Sequence, residues 1–334
     1  MGTLRSLVWD HDGHVIATDF PFEQISDYLA RDDVLTWVDL CEPDHSDLKA
    51  LAGELSLDPN AVEDAIAHVE RPKALRYASH TFFTAYAAAY DAENEPDDDD
   101  LAGRLRLDKV SAFVFEHGLI TVRSPEFDID ELVARWNDNS DLLRYGVGAL
   151  VHGLLDAVVD SHFDAVQVLD DAIEGLEDVL FDERVLATRV QRATYRLRKE
   201  LVQLRRIVLP MREVVNGVLR HRRDAGAPRE LDASYDDLYD HVLRVTEWTE
   251  SVRDMVSALF ETNLSLQDSR LNNVMKKLTS WAAIIAVPTA VTGYFGQNVP
   301  YPGYGTWWGF VASAAVMVVA AGILYVVFKR KSWI

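Results

Sequence analysis

The spacing of apolar residues divides the chain into regions of different structure. In residues 1–141, short runs rich in β-branched and aromatic side chains predict strands. These runs cover 4–9, 34–40, 81–90, 105–115 and 119–122. Helices are expected to begin near Pro43 and Pro59, because acids follow each proline within what would be the first helical turns. The mixture predicts an α+β domain over 1–141.

From residue 142 onward the pattern is that of helices. One helix is expected over 142–181 and a second over 185–221, so residues 142–230 are predicted to form a helical hairpin. A third helix should begin near Ser234, and no glycine or proline interrupts residues 231–287. At 1.5 Å per residue this helix would reach roughly 90 Å.

The third helix carries a heptad repeat. Its members are Leu238, Val245, Val252, Leu259 and Leu266, with Val242, Thr249, Val256 and Asn263 between them. Such a seam is typical of helices that pack side by side. Because a helix of this length is not expected to be buried by its own chain, we expect residues 231–277, the predicted stalk, to line a bundle formed by copies of the chain.

Charged residues are absent from a long C-terminal segment. Between Leu278 and Phe328 there is no Asp, Glu, Lys, Arg or His, and a stretch rich in Gly and Pro divides the segment at 293–305. Each half has about the 20 residues needed to cross a bilayer. We therefore predict transmembrane helices at 278–298 and 307–328, an external loop at 299–306 and a basic tail at 329–334.

Basic residues flank this segment on both sides. Lys276 and Lys277 precede the first span and the basic residues 329–331 follow the second, which by the positive-inside rule places both termini in the cytoplasm. The first twenty residues have no apolar core of a secretory leader, so residues 1–277 are expected to be cytoplasmic. The predicted location is the inner (plasma) membrane, in contact with its lipid.

The overall composition excludes some functions. There are 33 Lys and Arg against 54 Asp and Glu, a formal net charge of −21, which argues against binding nucleic acid through a basic surface. The single cysteine, Cys41, excludes an intrachain disulfide and a paired-cysteine metal site. Glycine-rich phosphate-binding motifs and the serine-nucleophile motif do not occur, so the chain is not expected to be an enzyme or an ATP-driven pump.

Four polar residues near the start of the third helix allow two interpretations. Asp236, Asp237, Asp240 and His241 occupy two successive turns. They would form a solvated face with a favourable acidic first turn. Alternatively, they would supply oxygen ligands to a hard divalent cation such as Mg²⁺. The residues alone leave both interpretations open.

The end of the first predicted span resembles a known family. Residues 288–298 (PTAVTGYFGQN) are similar to the end of the first membrane helix in CorA-type divalent-cation transporters, which closes on a Tyr-Gly-Met-Asn signature. The matching residues are Phe295, Gly296, Gln297 and Asn298. Three further stretches look like family features, namely 71–73 (RPK), 209–213 (LPMRE) and 239–241 (YDH).

The resemblance implies a homopentamer that forms a funnel-shaped channel. Each copy would contribute an α+β cytoplasmic domain, a long stalk helix and two transmembrane helices, the first of which lines the pore. The implied positions are an outer mouth at Gly296, Gln297 and Asn298, a pore lining at Asn272, Thr289 and Gly293, and a hydrophobic gate at Met275 and Leu278.

The resemblance also implies the cargo and its control. The expected function is passive Mg²⁺ influx, with Co²⁺ or Ni²⁺ carried as well and no organic cofactor. Intracellular Mg²⁺ would bridge neighbouring copies through Asp91 and Asp237 and hold the pore shut.

Departures from the family pattern keep alternatives open. Gln297 stands where the family has Met and where its ZntB-type zinc transporters have Ile, so Zn²⁺ transport is the nearest alternative. Phe295 replaces Tyr, and the loop 299–305 lacks the acid that many members carry. An alternative of another class is a membrane-tethered scaffold or sensor whose spans are only anchors. The mid-span Pro288 and the Gly-Gln-Asn mouth argue against an anchor.

Overall fold

One mixed sheet organises the first part of the chain, in the computed structural model that describes residues 3–90, 105–180, 187–297 and 300–334. Its strands are β1 (Thr3–Trp9), β2 (Val15–Thr18), β3 (Leu35–Cys41), β4 (Lys73–Arg76), β5 (Thr81–Tyr90), β6 (Leu105–Val114) and β7 (Gly118–Arg123). They follow the order β2-β1-β3-β7-β6-β5-β4; β3 and β7 pair in parallel and the other neighbours antiparallel. The sequence pattern misses β2 and β4, the two edge strands, which are only four residues long.

The alternation of side chains along the central strands builds a core on each face of the sheet. Trp37 and Phe83 are fully buried on one face, and their neighbours Val38 and Phe82 are fully buried on the other. A strand with two buried faces reads as a continuous apolar run. This explains why residues 34–40 are recognisable as a strand.

Helices cover both faces. The second face, with Val38 and Phe82, packs against α1 (Ile25–Leu29), α2 (His45–Leu55) and α3 (Pro59–Ile66). The first face packs against α4 (Ile129–Asp138), α5 (Ser140–Leu143), α6 (Val147–Leu180) and α7 (Ala187–Asp224). Helix α6 begins at Val147 rather than at 142, because Gly146 adopts a φ of +80° that interrupts the helical path.

The predicted heptad seam is buried inside the chain itself, which corrects the expectation that it lines a bundle of copies. A 3-10 turn (Arg229–Leu231) leads into α8 (Asp232–Phe295), whose residues Leu238, Val245 and Val252 are fully buried in the same cluster as α6 and α7. The physical reason is that α6 and α7 together offer an apolar surface, and the first half of α8 completes a three-helix core.

Polar contacts fix this packing. Arg205 Nε donates to Glu250 Oε1 at 2.8 Å, which joins α7 to α8. Trp248 Nε1 donates to Asp170 Oδ2 at 3.1 Å, which joins α8 to α6. Tyr235 Oη donates to the Gly148 carbonyl at 2.9 Å from a fully buried position.

The chain divides into two compact units, Met1–Leu259 and Phe260–Ile334. The second unit contains the last part of α8 and α9 (Trp307–Arg330), and both helices are long and apolar enough to cross a membrane. Helix α8 ends at Phe295, before the predicted boundary at 298, and α9 continues beyond 328 to Arg330. The observed elements confirm the predicted fold class of an α+β domain, a long helix and an apolar C-terminal helix.

Candidate functional site

Four of the predicted pore residues lie on one face of α8. Met275, Leu278, Thr289 and Gly293 are separated by 3, 11 and 4 positions, and eleven residues make close to three helical turns. All four are exposed, and the exposed fractions of Met275 and Leu278 are 51% and 63%. The structure therefore brings these residues together as one solvent-accessible line.

The opposite face of α8 is shielded. Ser280 is fully buried, and Ile284, Val287, Val291 and Phe295 follow it at helical spacing as half-buried residues. Helix α9 carries one shielded line of its own, which runs through Ser313, Met317, Ala320, Leu324 and Phe328. Because both helices belong to one compact unit, we infer that these two lines face each other. The predicted pore face therefore points away from α9.

A second heptad repeat runs along the exposed face, and sequence reasoning missed it. Leu264, Leu271, Leu278 and Ile285 are each seven residues apart, and their exposed fractions are 42%, 62%, 63% and 64%. The seven-residue spacing is visible in the sequence, but it overlaps the first heptad repeat, which ends at Leu266. A long apolar seam left uncovered in one copy is the pattern of a surface that packs against further helices.

Asn272 lies beside this line rather than on it. Its side chain is exposed, but consecutive helical residues are separated by about 100°, so Asn272 points away from Leu271 by that angle. The structure thus places Asn272 on the flank of the exposed seam, just under one helical turn before Met275.

The C-terminal end of α8 requires a glycine at position 296. The Gly296 amide donates to the Thr292 carbonyl at 2.8 Å, and a Cβ added at Gly296 would lie 2.8 Å from that same oxygen. Gln297 follows as an exposed residue whose amide donates to the Tyr294 carbonyl at 3.4 Å. Asn298, the third residue of the predicted mouth, lies outside the described residues.

Threonine hydroxyls near the helix end face the exposed side with acceptor capacity to spare. Thr289 Oγ1 donates to the Ile285 carbonyl at 3.1 Å, and Thr292 Oγ1 donates to the Pro288 carbonyl at 2.9 Å. A hydroxyl that donates its only proton to the backbone keeps two lone pairs. Such an oxygen can accept hydrogen bonds from the water shell of a cation.

Asp237, the predicted regulatory ligand, is exposed on the first part of α8. Its side chain is 70% exposed, and its Oδ2 lies 3.7 Å from His241 Nε2. Tyr239, between them in sequence, accepts hydrogen bonds from Arg212 and Asn216 of α7 at 3.0 and 3.2 Å, which fixes this turn of α8. Asp91, the other predicted ligand, lies outside the described residues.

The structure adds two acids to this region that sequence reasoning did not select. Asp156 and Asp160 lie one turn apart on α6. One carboxylate oxygen of each and a ring nitrogen of His241 all lie within 4.8 Å of one another. Their spacing of four positions is the only sequence signal, and it is common on solvated helices.

A cation of the protein already neutralises part of this acid cluster. Arg135 Nη1 lies 2.6 Å from Asp160 and 3.7 Å from Asp156. Burial, followed by the neighbouring charge of Asp160, raises the pKa of Asp156. The cluster of Asp156, Asp160 and His241 is thus an acidic surface next to Asp237 that can attract a divalent cation electrostatically.

Comparisons with known proteins give consistent results. Residues 32–330 match the family model described as CorA-like Mg²⁺ transporter protein. The chain is 30% identical over 303 residues to the cobalt/magnesium transport protein CorA of Thermotoga maritima, covering 90% of this chain and 83% of that protein. It is 26% identical over 298 residues to the zinc transport protein ZntB of an Enterobacter species, covering 87% and 85%.

A solved structure shares the whole fold. The complete structure of the CorA magnesium transporter from Methanocaldococcus jannaschii matches with a TM-score of 0.74 at 23% identity, and the match covers 100% of both chains. At this identity the likeness concerns the fold, including the long helix and the apolar C-terminal helix.

Proposed function

The chain belongs to the CorA-like Mg²⁺ transporter family, and from this premise we propose that it is a passive pathway for Mg²⁺ influx. Family membership makes it a divalent-cation transporter of a membrane, and its relatives are transport proteins rather than enzymes. The choice of Mg²⁺, the oligomer, the gate and the feedback are the parts that we propose. Co²⁺ and Ni²⁺ are expected to follow the same route.

One observation carries the proposal: the uncovered heptad seam on α8. Leu264, Leu271, Leu278 and Ile285 are all exposed in a single copy. When several copies bring this face together, the same face that carries Thr289 and Gly293 surrounds a central passage. Two spans in one chain cannot enclose a pore, so a homo-oligomer is required, and the family resemblance indicates a pentamer.

An uncharged passage suits this cargo. Mg²⁺ releases its water reluctantly, and a carboxylate ring would hold the ion strongly. Residues 278–328 contain no charged side chain, so neutral oxygens such as those of Thr289 and Gln297 would bind the hydrated ion through its water shell. Met275 and Leu278 would close the inner part of the passage by excluding water from a hydrophobic constriction.

The membrane potential supplies the driving force. One elementary charge gains about 2.3 kcal/mol per 100 mV, so a divalent cation gains about twice that amount on entering a negative interior. We place both termini in the cytoplasm of the inner (plasma) membrane, because basic residues flank the spans at 276–277 and 329–331.

Feedback by intracellular Mg²⁺ would act through Asp237 and Asp91 on neighbouring copies. Like-charged acids repel each other unless a cation lies between them. The exposed position of Asp237 and the adjacent Asp156, Asp160 and His241 support an acidic surface for this role. Loss of the cation would loosen the assembly and open the gate.

A second candidate function is Zn²⁺ transport. The 26% identity with ZntB and the presence of Gln297, which matches neither the family Met nor the ZntB-type Ile, favour testing both ions. Intramembrane acids or histidines are typical of proton coupling. None occurs in 278–328, so we propose that either ion moves without a coupled proton.

The test is ion flux into liposomes that contain the full chain, under an inside-negative potential, with Mg²⁺ and Zn²⁺ compared. Asn298→Ala should lower the flux of the carried ion strongly. Asn273→Ala is the matched control. Asn273 is exposed on the side of α8 opposite the exposed seam, so its substitution should leave flux unchanged. No flux of either ion would contradict the proposal and favour a membrane-tethered scaffold.

The feedback is tested by limited proteolysis. Mg²⁺ should protect the wild-type protein, and the double variant Asp91→Ala, Asp237→Ala should lose this protection. Protection that is unchanged in the double variant would contradict the regulatory role of these two acids.

A further inference from the structure

Residues 300–306, the described part of the loop between α8 and α9, follow a defined path. Gly303 and Gly305 adopt φ values of +92° and +73°, a backbone region that other residues rarely occupy. A Cβ added at Gly309 would lie 2.2 Å from the Gly303 carbonyl oxygen, so the loop lies directly on the first turn of α9. Thr306 Oγ1 donates to that same Gly303 carbonyl at 2.8 Å. The loop is therefore built into the structure of the second unit.

Tyr301 connects this loop to the end of α8. Its hydroxyl donates to the Phe295 carbonyl at 3.2 Å. Its ring packs edge-on against Phe295, with centroids 5.0 Å apart and an interplanar angle of 90°, and edge-on against Tyr304 at 5.3 Å. Tyr294 lies near the same ring at 6.2 Å. The rings of Tyr294, Phe295, Tyr301 and Tyr304 thus form one aromatic cluster at the end of the helix.

The hydrogen bond occupies an acceptor that the helix itself cannot satisfy. The last four carbonyls of an α-helix have no partner within the helix. Phe295 is the final residue of α8, so its carbonyl is one of these four, and the next two residues are Gly296 and Gln297. The Phe295 carbonyl and the Gly296 amide belong to one planar peptide unit, so a contact that fixes this carbonyl oxygen also restricts where Gly296 and the following Gln297 lie.

We infer that Tyr301 is a positioning residue for the outer mouth: its hydroxyl and ring hold the Phe295 carbonyl, and thereby set the place of Gly296 and Gln297. This inference rests on the proposed function of ion transport. It gives the loop a mechanical role in a chain whose loop 299–305 has no acid with which to attract cations. The contribution is to the geometry of the neutral oxygens that meet a hydrated ion.

Tyr301→Phe tests the inference because it removes one hydroxyl and keeps the ring. Tyr304→Phe is the matched control, since it makes the same change in the same aromatic cluster. In liposome flux, Tyr301→Phe should raise the Mg²⁺ concentration for half-maximal uptake about fivefold and change the Mg²⁺ to Zn²⁺ preference, while the maximal rate changes less. Tyr304→Phe should match the wild type.

A second readout does not depend on transport. Hydrogen exchange of the Gly296 and Gln297 amides in the reconstituted full chain should be about fivefold faster in Tyr301→Phe than in Tyr304→Phe. Faster exchange without any wild-type flux would support the positioning contact and contradict the proposed function. Equal exchange and equal half-maximal concentrations in the two variants would overturn the inference. Loss of assembly in Tyr301→Phe alone would also overturn it, because the role would then be structural.

Discussion

The two units use the same kind of helix surface in opposite ways. In the first unit, heptad positions of α8 such as Val245 and Val252 are fully buried against α6 and α7. In the second unit, heptad positions of the same helix such as Leu271 and Leu278 are more than 60% exposed. Apolar periodicity therefore shows that a surface must be covered, but not what covers it.

The difference reflects the solvent of each unit. The first unit removes most of its large apolar residues from water in cores on both faces of a sheet. The second unit exposes Trp307 and Trp308 by 72% and 79%, and Val318 by 74%, which would be costly in water. Tryptophan at a span end and aliphatic residues within it are typical of contact with lipid. In the proposed transporter, lipid and further copies would cover the apolar surface that the second unit leaves exposed.

The largest effect is expected from a charge in the buried seam. Val245→Asp places a carboxylate at a fully buried site without a partner, and should lower the free energy of unfolding by more than about 4 kcal/mol. Thermal unfolding of the full chain in detergent measures it. Arg244→Asp puts the same group at the adjacent exposed position and should change stability by less than about 0.5 kcal/mol.

The same charge in the exposed seam should act on assembly instead of folding. Leu271→Asp should dissociate the oligomer, because each copy would bring a carboxylate to the shared surface, at a cost of about 3 kcal/mol or more. Light scattering measures the mass, and the unfolding of the first unit should be unchanged. Ser269→Asp, exposed on the other side of α8, should stay assembled. Dissociation of both variants would contradict the seam.

A pH effect should arise in the first unit. His162 is fully buried, its Nε2–H donates to the Tyr86 carbonyl at 2.7 Å, and burial lowers its pKa from 6.5 to about 4. The unfolded chain therefore binds the proton first. The contribution of neutral His162 is complete above pH 6.5 and declines toward pH 4 by about 1.4 kcal/mol per pH unit, about 3 kcal/mol in all.

The measurement is unfolding at several pH values for the wild type and His162→Gln. The wild type should show the steeper loss of stability between pH 6.5 and 4, because Gln does not titrate. His45→Gln, at an exposed position, should keep the wild-type slope. A slope unchanged by His162→Gln would show that His162 titrates normally.

The smallest effect is expected from a helix cap. Asp128 caps α4 by accepting from the Glu131 amide at 3.0 Å, so Asp128→Ala should cost about 1 kcal/mol and lower Tm by about 2–4 °C. Asp138→Ala at the other end of α4 removes an acid from an unfavourable position and should not lower Tm. Equal losses in both variants would exclude capping as the cause.

Much of the fold follows from local patterns. The strands β3, β5 and β7 are recognisable because burial on both faces favours nearly continuous apolar runs. The uncharged segment 278–328 and the signature residues Gly296 and Asn298 indicate the transporter family from sequence. That the predicted pore residues of α8 share one face also follows from helical spacing, since Met275, Leu278 and Thr289 lie on one side of any straight helix.

Other features depend on residues that are distant in sequence. Asp156 and Asp160 meet His241 only because α6 packs beside α8, and no local pattern reports that contact. The prediction that further copies cover the heptad residues around Val245 was wrong for the same reason. The seven-residue period of these residues is identical whether α6 and α7 or further copies cover them. Tyr301 donates to the Phe295 carbonyl from six positions further along the chain, and no helical or strand periodicity reports that contact.

Local periodicity and charge established that the chain has an α+β part, a long helix and two apolar spans, because these properties depend on neighbours within a few turns. The packing decided which apolar stripe the chain buries itself and which it leaves exposed. That choice is an energetic competition between surfaces far apart in sequence, and it is resolved only when the helices are in place.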